Sequence, residues 1–270
     1  MQATCFHESE MTTPTEIGRL GRRTIAAFST RSPGKETSNE DSAALLPWDD
    51  YSAVLVVADG LGGQSLGEVA SRKAVQALER SLALADRETF QLRTAILDGI
   101  EAANAAVLAI GAGAATTLAI VELSVGGPDG DVARTYHVGD AGVLVCGGRG
   151  KLKLLTTAHA PVAYGVEAGL IDERKAMHHE DRHVVSNVVG ATDSRIELGP
   201  SIKLARCDTV LIASDGLFDN LTTDELIQLS RRGAALDAAR RLADAARERM
   251  ASTLPGVPSK PDDLTLLVVR

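Results

Sequence analysis

Two apolar runs in this chain close in the same way: VLVVADGLGG at 54–63 and VLIASDGLFD at 210–219 both reach Asp-Gly-Leu. Short runs rich in Val, Leu and Ile that stop at turn residues predict buried strands. After a single strand, Asp-Gly is ordinarily just a turn. The same construction made twice is a stronger constraint, because an Asp at a strand's end projects its carboxylate from a rigid support.

Other acids stand in the same relation to predicted strands. Glu40 and Asp41 directly precede the run 42–46, Asp140 closes RTYHVG, and Asp262 and Asp263 directly precede the last run, LTLLVV. Five acidic positions therefore abut strand ends, with few histidines and no cysteine placed as ligands. All-oxygen carboxylate sets suit hard cations, magnesium or manganese, far better than zinc. Several ionised carboxylates crowd together only where cations neutralise them. Convergence of these strand ends would make a metal centre.

The patterning supplies the frame. Strands are predicted at 24–30, 42–46, 51–58, 115–123, 132–138, 142–146, 151–156, 183–189, 209–213 and 264–269, with the GGRGK turn before the seventh reading as a hairpin. Apolar residues recur at helical spacing over 66–84 and 90–110, and again over 167–177, 224–229 and 234–250, with Thr222 or Thr223 as an N-cap. Runs of strands, then a helix pair, then strands again predict antiparallel sheets with helices packed outside them. With 44% hydrophobic residues and no Gly-, Ser- or Pro-rich linker, residues 24–270 are expected to form a single domain, preceded by a loose tail at 1–23.

The net charge of −8 argues against a nucleic-acid partner. The first sixteen residues lack an apolar core, and no apolar run approaches a membrane span, so a cytoplasmic protein with no membrane partner is expected. Cys5, Cys146 and Cys207 are scattered and read as reduced thiols. The charged run HHEDRH (178–183) reads as a solvated face, and Gly111-Ala112-Gly113 as a helix-ending turn.

Taken in order, several segments resemble the motifs of the metal-dependent, type 2C (PPM) serine/threonine protein phosphatases: NEDS (39–42), ADGLGG (58–63), AATTLAIV (114–121), HVGDAG (137–142), LLTTAHAP (154–161), ASDGLFD (213–219) and DDLTLLVV (262–269). The resemblance spans roughly residues 24–270 and is closest to bacterial members. It implies an α+β fold, an α-β-β-α sandwich of two mainly antiparallel sheets with helix pairs outside. It implies two Mn2+ or Mg2+ ions, with Asp59 bridging both, the Gly60 carbonyl completing one shell, Asp215 and Asp262 holding the second, and Glu40 and Asp41 acting through waters. Asp140, with Asp215, matches the position of a third, weaker metal. Residues 158–189 match the flap beside the substrate groove.

The activity so implied is hydrolysis of phosphoserine and phosphothreonine in proteins by a water that two cations, about 3.5–4 Å apart, activate without a covalent phosphoenzyme. The implied partners are phosphorylated proteins and an opposing serine/threonine kinase, and a monomer is expected. Two other readings stay open: a weakly active module that binds a phosphoprotein or ligand, and a two-metal phosphoesterase for small phosphomonoesters. The chain departs from the family pattern at particular places. Leu61 and Gln64 stand where a His is common, leaving His159 as the candidate acid. Glu36 stands where an Arg is common, leaving Lys35 and Arg31 as candidate phosphate grips. Ala158 replaces the Asp that usually precedes the position of His159.

Overall fold

The computed structural model describes residues 1–61, 66–87, 91–128, 130–252 and 259–270. The chain runs through β1 (Thr4–His7), β2 (Thr15–Leu20), β3 (Arg23–Thr30), β4 (Ser42–Pro47), β5 (Ser52–Ala58) and the short β6 (Gly60–Leu61) into α1 (Gly67–Leu84) and α2 (Leu92–Leu108). It continues through β7 (Ala115–Thr116), β8 (Leu118–Gly127), β9 (Gly130–Val138), β10 (Gly142–Cys146) and β11 (Leu152–Leu155) to α3 (Pro161–Glu167) and α4 (Glu173–Ala176). The remainder is β12 (Glu197–Leu198), β13 (Ile202–Leu204), β14 (Thr209–Ala213), α5 (Asp215–Phe218), α6 (Thr223–Ser230), α7 (Ala235–Met250) and β15 (Leu264–Val269).

Among the described residues two large antiparallel sheets form, together with the two-stranded antiparallel pair β6-β7. One has the order β1-β4-β5-β8-β9-β12, with β13 also pairing β9; the other has the order β11-β10-β14-β15-β3-β2. Three apolar layers hold them, and alternate residues of single strands feed different layers. Val54 and Val56 of β5 face α1 and α2, where they meet Val75, Leu78, Ile96 and Ile100. Leu55 and Val57 face the other sheet, against Val143, Ile212 and Leu267. Leu211, Leu266 and Val268 pack outward on Leu226, Leu242 and Ala246 of α6 and α7. This is the expected α-β-β-α sandwich. It also explains why the central strands read as unbroken apolar runs: both faces are buried. Each fully buried Val, Leu or Ile contributes about 1.5–3 kcal/mol.

Three expectations are corrected. Residues 1–23 are not a loose tail: β1 pairs with β4, from Thr4 opposite Leu45 to His7 opposite Ser42, and β2 forms a hairpin with β3. These are edge strands, half-buried throughout in β1 and largely exposed in β2, with polar residues among the apolar ones, so their apolar signal is weak. The hairpin is pinned by Arg23, 1% exposed, which donates to Asp131 Oδ2 at 2.9 Å and to the carbonyls of Asp208 and Ala205 at 3.0 and 2.8 Å. The helix expected over 167–177 is not continuous: α3 ends at Glu167, the chain turns at Gly169, whose φ of 69° is left-handed, and only Glu173–Ala176 (α4) is helical beyond it. In place of the strand expected over 183–189, a 3-10 turn (Glu180–His183) is followed by chain outside any strand, with a single bridge from Val189 to Thr116.

Several other local expectations hold. Thr222 caps α6 in a reciprocal capping box with Glu225. Gly111 and Gly113 lie in the turn after α2 with φ of 73° and 76°, and GGRGK closes the β10–β11 hairpin. His178, Glu180, Asp181 and His183 are exposed.

Candidate active site

The antiparallel registers gather the acidic strand ends. Ser42 lies opposite Ala58, so Asp41 at the start of β4 neighbours Asp59 at the end of β5. Ala213 lies opposite Leu266, so Asp215 after β14 neighbours Asp262 and Asp263 before β15. The two sheets are tied at this edge by Ser214, whose hydroxyl donates to Asp41 Oδ2 at 2.7 Å and accepts from the Thr265 amide at 3.1 Å.

Each acid is seated by its local backbone. The Asp59 carbonyl accepts from the Thr117 amide at 2.8 Å and the Thr116 hydroxyl at 2.6 Å, while the Asp59 amide donates to Thr117 Oγ1 at 3.2 Å. The Thr-Thr pair thus interrupts the strand expected over 115–123 and clamps Asp59. Gly60 allows α1 to close on the site, since a Cβ there would lie 2.1 Å from the Gly67 carbonyl oxygen. A Cβ on Gly67 would meet Glu40 Oε1 at 2.5 Å and the Gly60 carbonyl at 2.7 Å, so those two oxygens face one small space. Asp140 follows Gly139, whose φ of 99° and 2.7 Å approach to Thr117 exclude a side chain. At Gly216 a Cβ would lie 2.0 Å from the Asp263 carbonyl oxygen, which brings the start of α5 against the lead into β15.

The electrostatics are those of crowded acids. Burial, then Asp215 and Asp41, push the Asp59 carboxyl well above its ordinary range. Asp41 is also raised, by burial and then by Asp263. Asp140 is pushed up to about 8 by burial, Asp215 and Asp219. Asp219 and Asp262 are each raised to about 6 by burial and by Asp215. Oδ1 of Asp41, of Asp140 and of Asp215 is buried and has no hydrogen-bond partner. Buried oxygens of this kind are costly unless something positive meets them. A set of hard carboxylate and carbonyl oxygens with unused lone pairs fits a divalent cation.

Two residues in this centre were not anticipated from sequence. Asp219 lies one turn after Asp215, with its amide donating to the Asp215 carbonyl at 2.8 Å. Lys260 Nζ contacts Asp215 Oδ2 and lies 2.8 Å from Asp219 Oδ2 and 3.2 Å from Asp262 Oδ2. The i, i+4 spacing within SDGLFD was a usable signal for Asp219; for Lys260 there was none, because Asp215 and Asp219 are 45 and 41 residues away.

The remaining predicted site residues fall around this centre in different ways. Lys35 Nζ donates to Glu40 Oε2 and Asp263 Oδ2, both at 2.6 Å, bridging the two acids. Arg31 pairs with Glu10 at 2.9 Å on the surface. His159 is 5% exposed, and both its ring nitrogens are engaged. Its Nδ1 accepts from the Gly139 amide at 3.0 Å and from Asn187 at 2.8 Å, so its proton sits on Nε2, 3.1 Å from Glu197 Oε2. His137 stacks on it at 4.5 Å. Gln64 lies outside the described residues.

Beside the carboxylates opens a cavity of about 320 Å3. Asp140, Asp215 and Asp219 form one wall, and Val162, Val166 and Met177 of the segment after β11 contribute to the apolar remainder. His159 lines a different, smaller cavity, with Asn187 and Glu197.

Two packed antiparallel sheets with paired helices outside, and at one edge a carboxylate centre suited to hard cations, define a class of metal-dependent phosphoester hydrolases. The chain belongs to the protein phosphatase 2C family, whose profile matches residues 31–255. It is 29% identical over 214 residues to a putative protein phosphatase 2C-type of Streptococcus pyogenes, covering 75% of this chain and 82% of that one. It is 28% identical over 204 residues to the serine/threonine phosphatase stp of Listeria welshimeri, covering 70% and 75%. The solved Mycobacterium tuberculosis serine/threonine phosphatase PstP superposes with a TM-score of 0.72 at 25% identity, over 92% of this chain and 97% of that one.

Proposed function

We propose that this chain hydrolyses phosphoserine and phosphothreonine esters in proteins, using Mn2+ or Mg2+. The observation that carries the reading is the convergence of Asp41, Asp59, Asp140, Asp215 and Asp262 from strand ends of both sheets, with three buried carboxylate oxygens left unpartnered. Asp59 and the Gly60 carbonyl, with Asp215 and Asp262, would hold two cations; Glu40 and Asp41 would act through water, and Asp140 with Asp215 and Asp219 would hold a weaker third. A bound pair of such cations acidifies water and supplies positive charge to the phosphoryl group.

The chain's own residues do the rest. Ser214 and the Thr116–Thr117 pair hold Asp41 and Asp59 in place, so little reorganisation accompanies the reaction. Lys35, between Glu40 and Asp263, is the candidate to grip phosphate; Arg31 would have to leave Glu10 to do so. His159 is assigned a positioning role, because it holds the Gly139 amide next to Asp140 and turns its proton toward Glu197. The apolar cavity beside the centre suits a peptide side chain flanking the phosphorylated residue, and the flap at 158–189 supplies much of its wall. A phosphoprotein substrate requires an opposing serine/threonine kinase. The same reading places the enzyme in the cytoplasm as a monomer, which light scattering checks.

The test is hydrolysis of an aryl phosphate and of phosphothreonine peptides by the full chain, with Mn2+, Mg2+ or chelator. Turnover on both, abolished by chelator and by Asp59→Asn with the circular-dichroism spectrum intact, is expected. Chelator-resistant turnover, or substantial turnover by Asp59→Asn, would overturn the reading.

A further inference from the structure

Among the described residues, Lys260 is the side chain that brings positive charge to the Asp215, Asp219 and Asp262 carboxylates together. Its position is built rather than adventitious. The Lys260 amide donates to Asn220 Oδ1 at 2.9 Å, and Asn220 Nδ2 donates to the Lys260 carbonyl at 2.9 Å. Asn220 is itself fully buried and also donates to the Gly216 carbonyl at 2.9 Å, so the backbone carrying the lysine is fastened to the short helix α5, which begins at Asp215 and leads into Asp219. The side chain is 18% exposed, short of free rotation in solvent yet open on one side. Beside it, Asp140 Oδ1 and Asp215 Oδ1 remain buried without partners, so the ammonium satisfies one side of the acidic cluster and leaves the other unmet.

An ammonium and a divalent cation compete for the Oδ2 atoms of Asp215, Asp219 and Asp262. Their charges repel, and the oxygen lone pairs that the lysine uses are the ones that a cation at this face would need. We propose that Lys260 is a resident counter-cation of the centre, which keeps the acidic strand ends together before metal arrives and which a divalent ion must displace from Asp215, Asp219 and Asp262. The inference rests on the two-cation reading above and adds to it a selectivity device: the face loads only when a divalent ion outcompetes a tethered single charge. The lysine's flexible four-carbon stem lets the ammonium swing toward the cavity mouth without moving the backbone clamp.

Two measurements on the full-length protein test this. The first is Mn2+ titration by calorimetry of wild type, Lys260→Gln and Lys260→Arg. Lys260→Gln should bind its weakest Mn2+ at least about tenfold more tightly than wild type, since removing a like charge a few ångströms from a divalent ion is worth more than that factor at protein-like dielectric. Its melting temperature in chelator should fall, because the acids lose their counter-charge, while Lys260→Arg should stay close to wild type in both readouts. Equal or weaker Mn2+ binding by Lys260→Gln overturns the proposal. The second uses wild type alone, in case the variant does not fold. Acylation of lysines read by mass spectrometry should label Lys260 faster with Mn2+ than with chelator, and unchanged or slower labelling overturns the proposal. Mn2+-dependent aryl phosphate hydrolysis by wild type is measured alongside. If it is present while these results are negative, only the counter-cation role falls; if it is absent with no Mn2+ bound, the two-cation reading falls and takes this inference with it.

Discussion

At the scale of single residues, His159 separates two kinds of contribution. A leaving-group acid has to reach the substrate oxygen with a free proton, and it matters most for a poor leaving group such as a serine alkoxide. His159 is buried, accepts two hydrogen bonds on Nδ1 and directs Nε2 to Glu197. His159→Ala should therefore lower turnover of aryl phosphate and phosphothreonine peptide by the same factor, about 10–100-fold, as losses of residues that orient metal ligands generally do. Mn2+ affinity should weaken in parallel. A loss confined to the phosphopeptide would restore the acid role. The residues legible at this scale were the acids at strand ends, because a carboxylate closing an apolar run is visible in one dimension. Lys260 was not, because a lysine in a polar segment has no meaning until the fold brings Asp215 and Asp219 to it.

At the scale of elements, the close approaches around the site set what can be changed. The start of α5 leaves no room for a methyl group at Gly216, where a Cβ would lie 2.0 Å from the Asp263 carbonyl oxygen. Gly216→Ala should cost about 1–3 kcal/mol of stability in denaturant unfolding, the usual range for overpacking, and should also impair hydrolysis, since Asp215 and Asp263 shift with it. Thr222→Ala provides the contrast. It removes the capping box of α6, in which the Thr222 hydroxyl bonds Glu225 and none of the carboxylates of the centre, and should cost about 1 kcal/mol while leaving turnover nearly unchanged. Elements with two buried faces, such as β5 and β14, announced themselves as apolar runs. The edge strands β1 and β2 did not, because only Leu20 in them is buried and pairing rather than burial defines them.

At the scale of the whole molecule, the carboxylate centre makes metal-free stability depend on pH in a definite direction. Asp140 is raised to about 8 and Asp219 and Asp262 to about 6, above the ordinary value of 3.8. Between about pH 4 and 8 the folded chain therefore holds protons at these acids that the unfolded chain has released. Stability falls as pH rises wherever the folded state binds more protons. In chelator the melting temperature should drop from pH 5 to pH 8, and saturating Mn2+ should remove the drop by supplying the missing positive charge. A metal-free melting temperature that rises across this range would contradict the crowding described here.

The chain's order of apolar runs and strand-end acids determined, without any structure, the sandwich class, the family resemblance and most of the acids of the centre, because those depend on local sequence and on its order. Only the tertiary structure decided how they are used. It brought Ser214 to Asp41 across two sheets, placed Thr116 and Thr117 on the Asp59 backbone, turned His159 toward Glu197, and set Lys260 on Asp215 and Asp219. Each of these is a contact between segments far apart in the chain, and such contacts are set by strand register and layer packing, which no local pattern encodes.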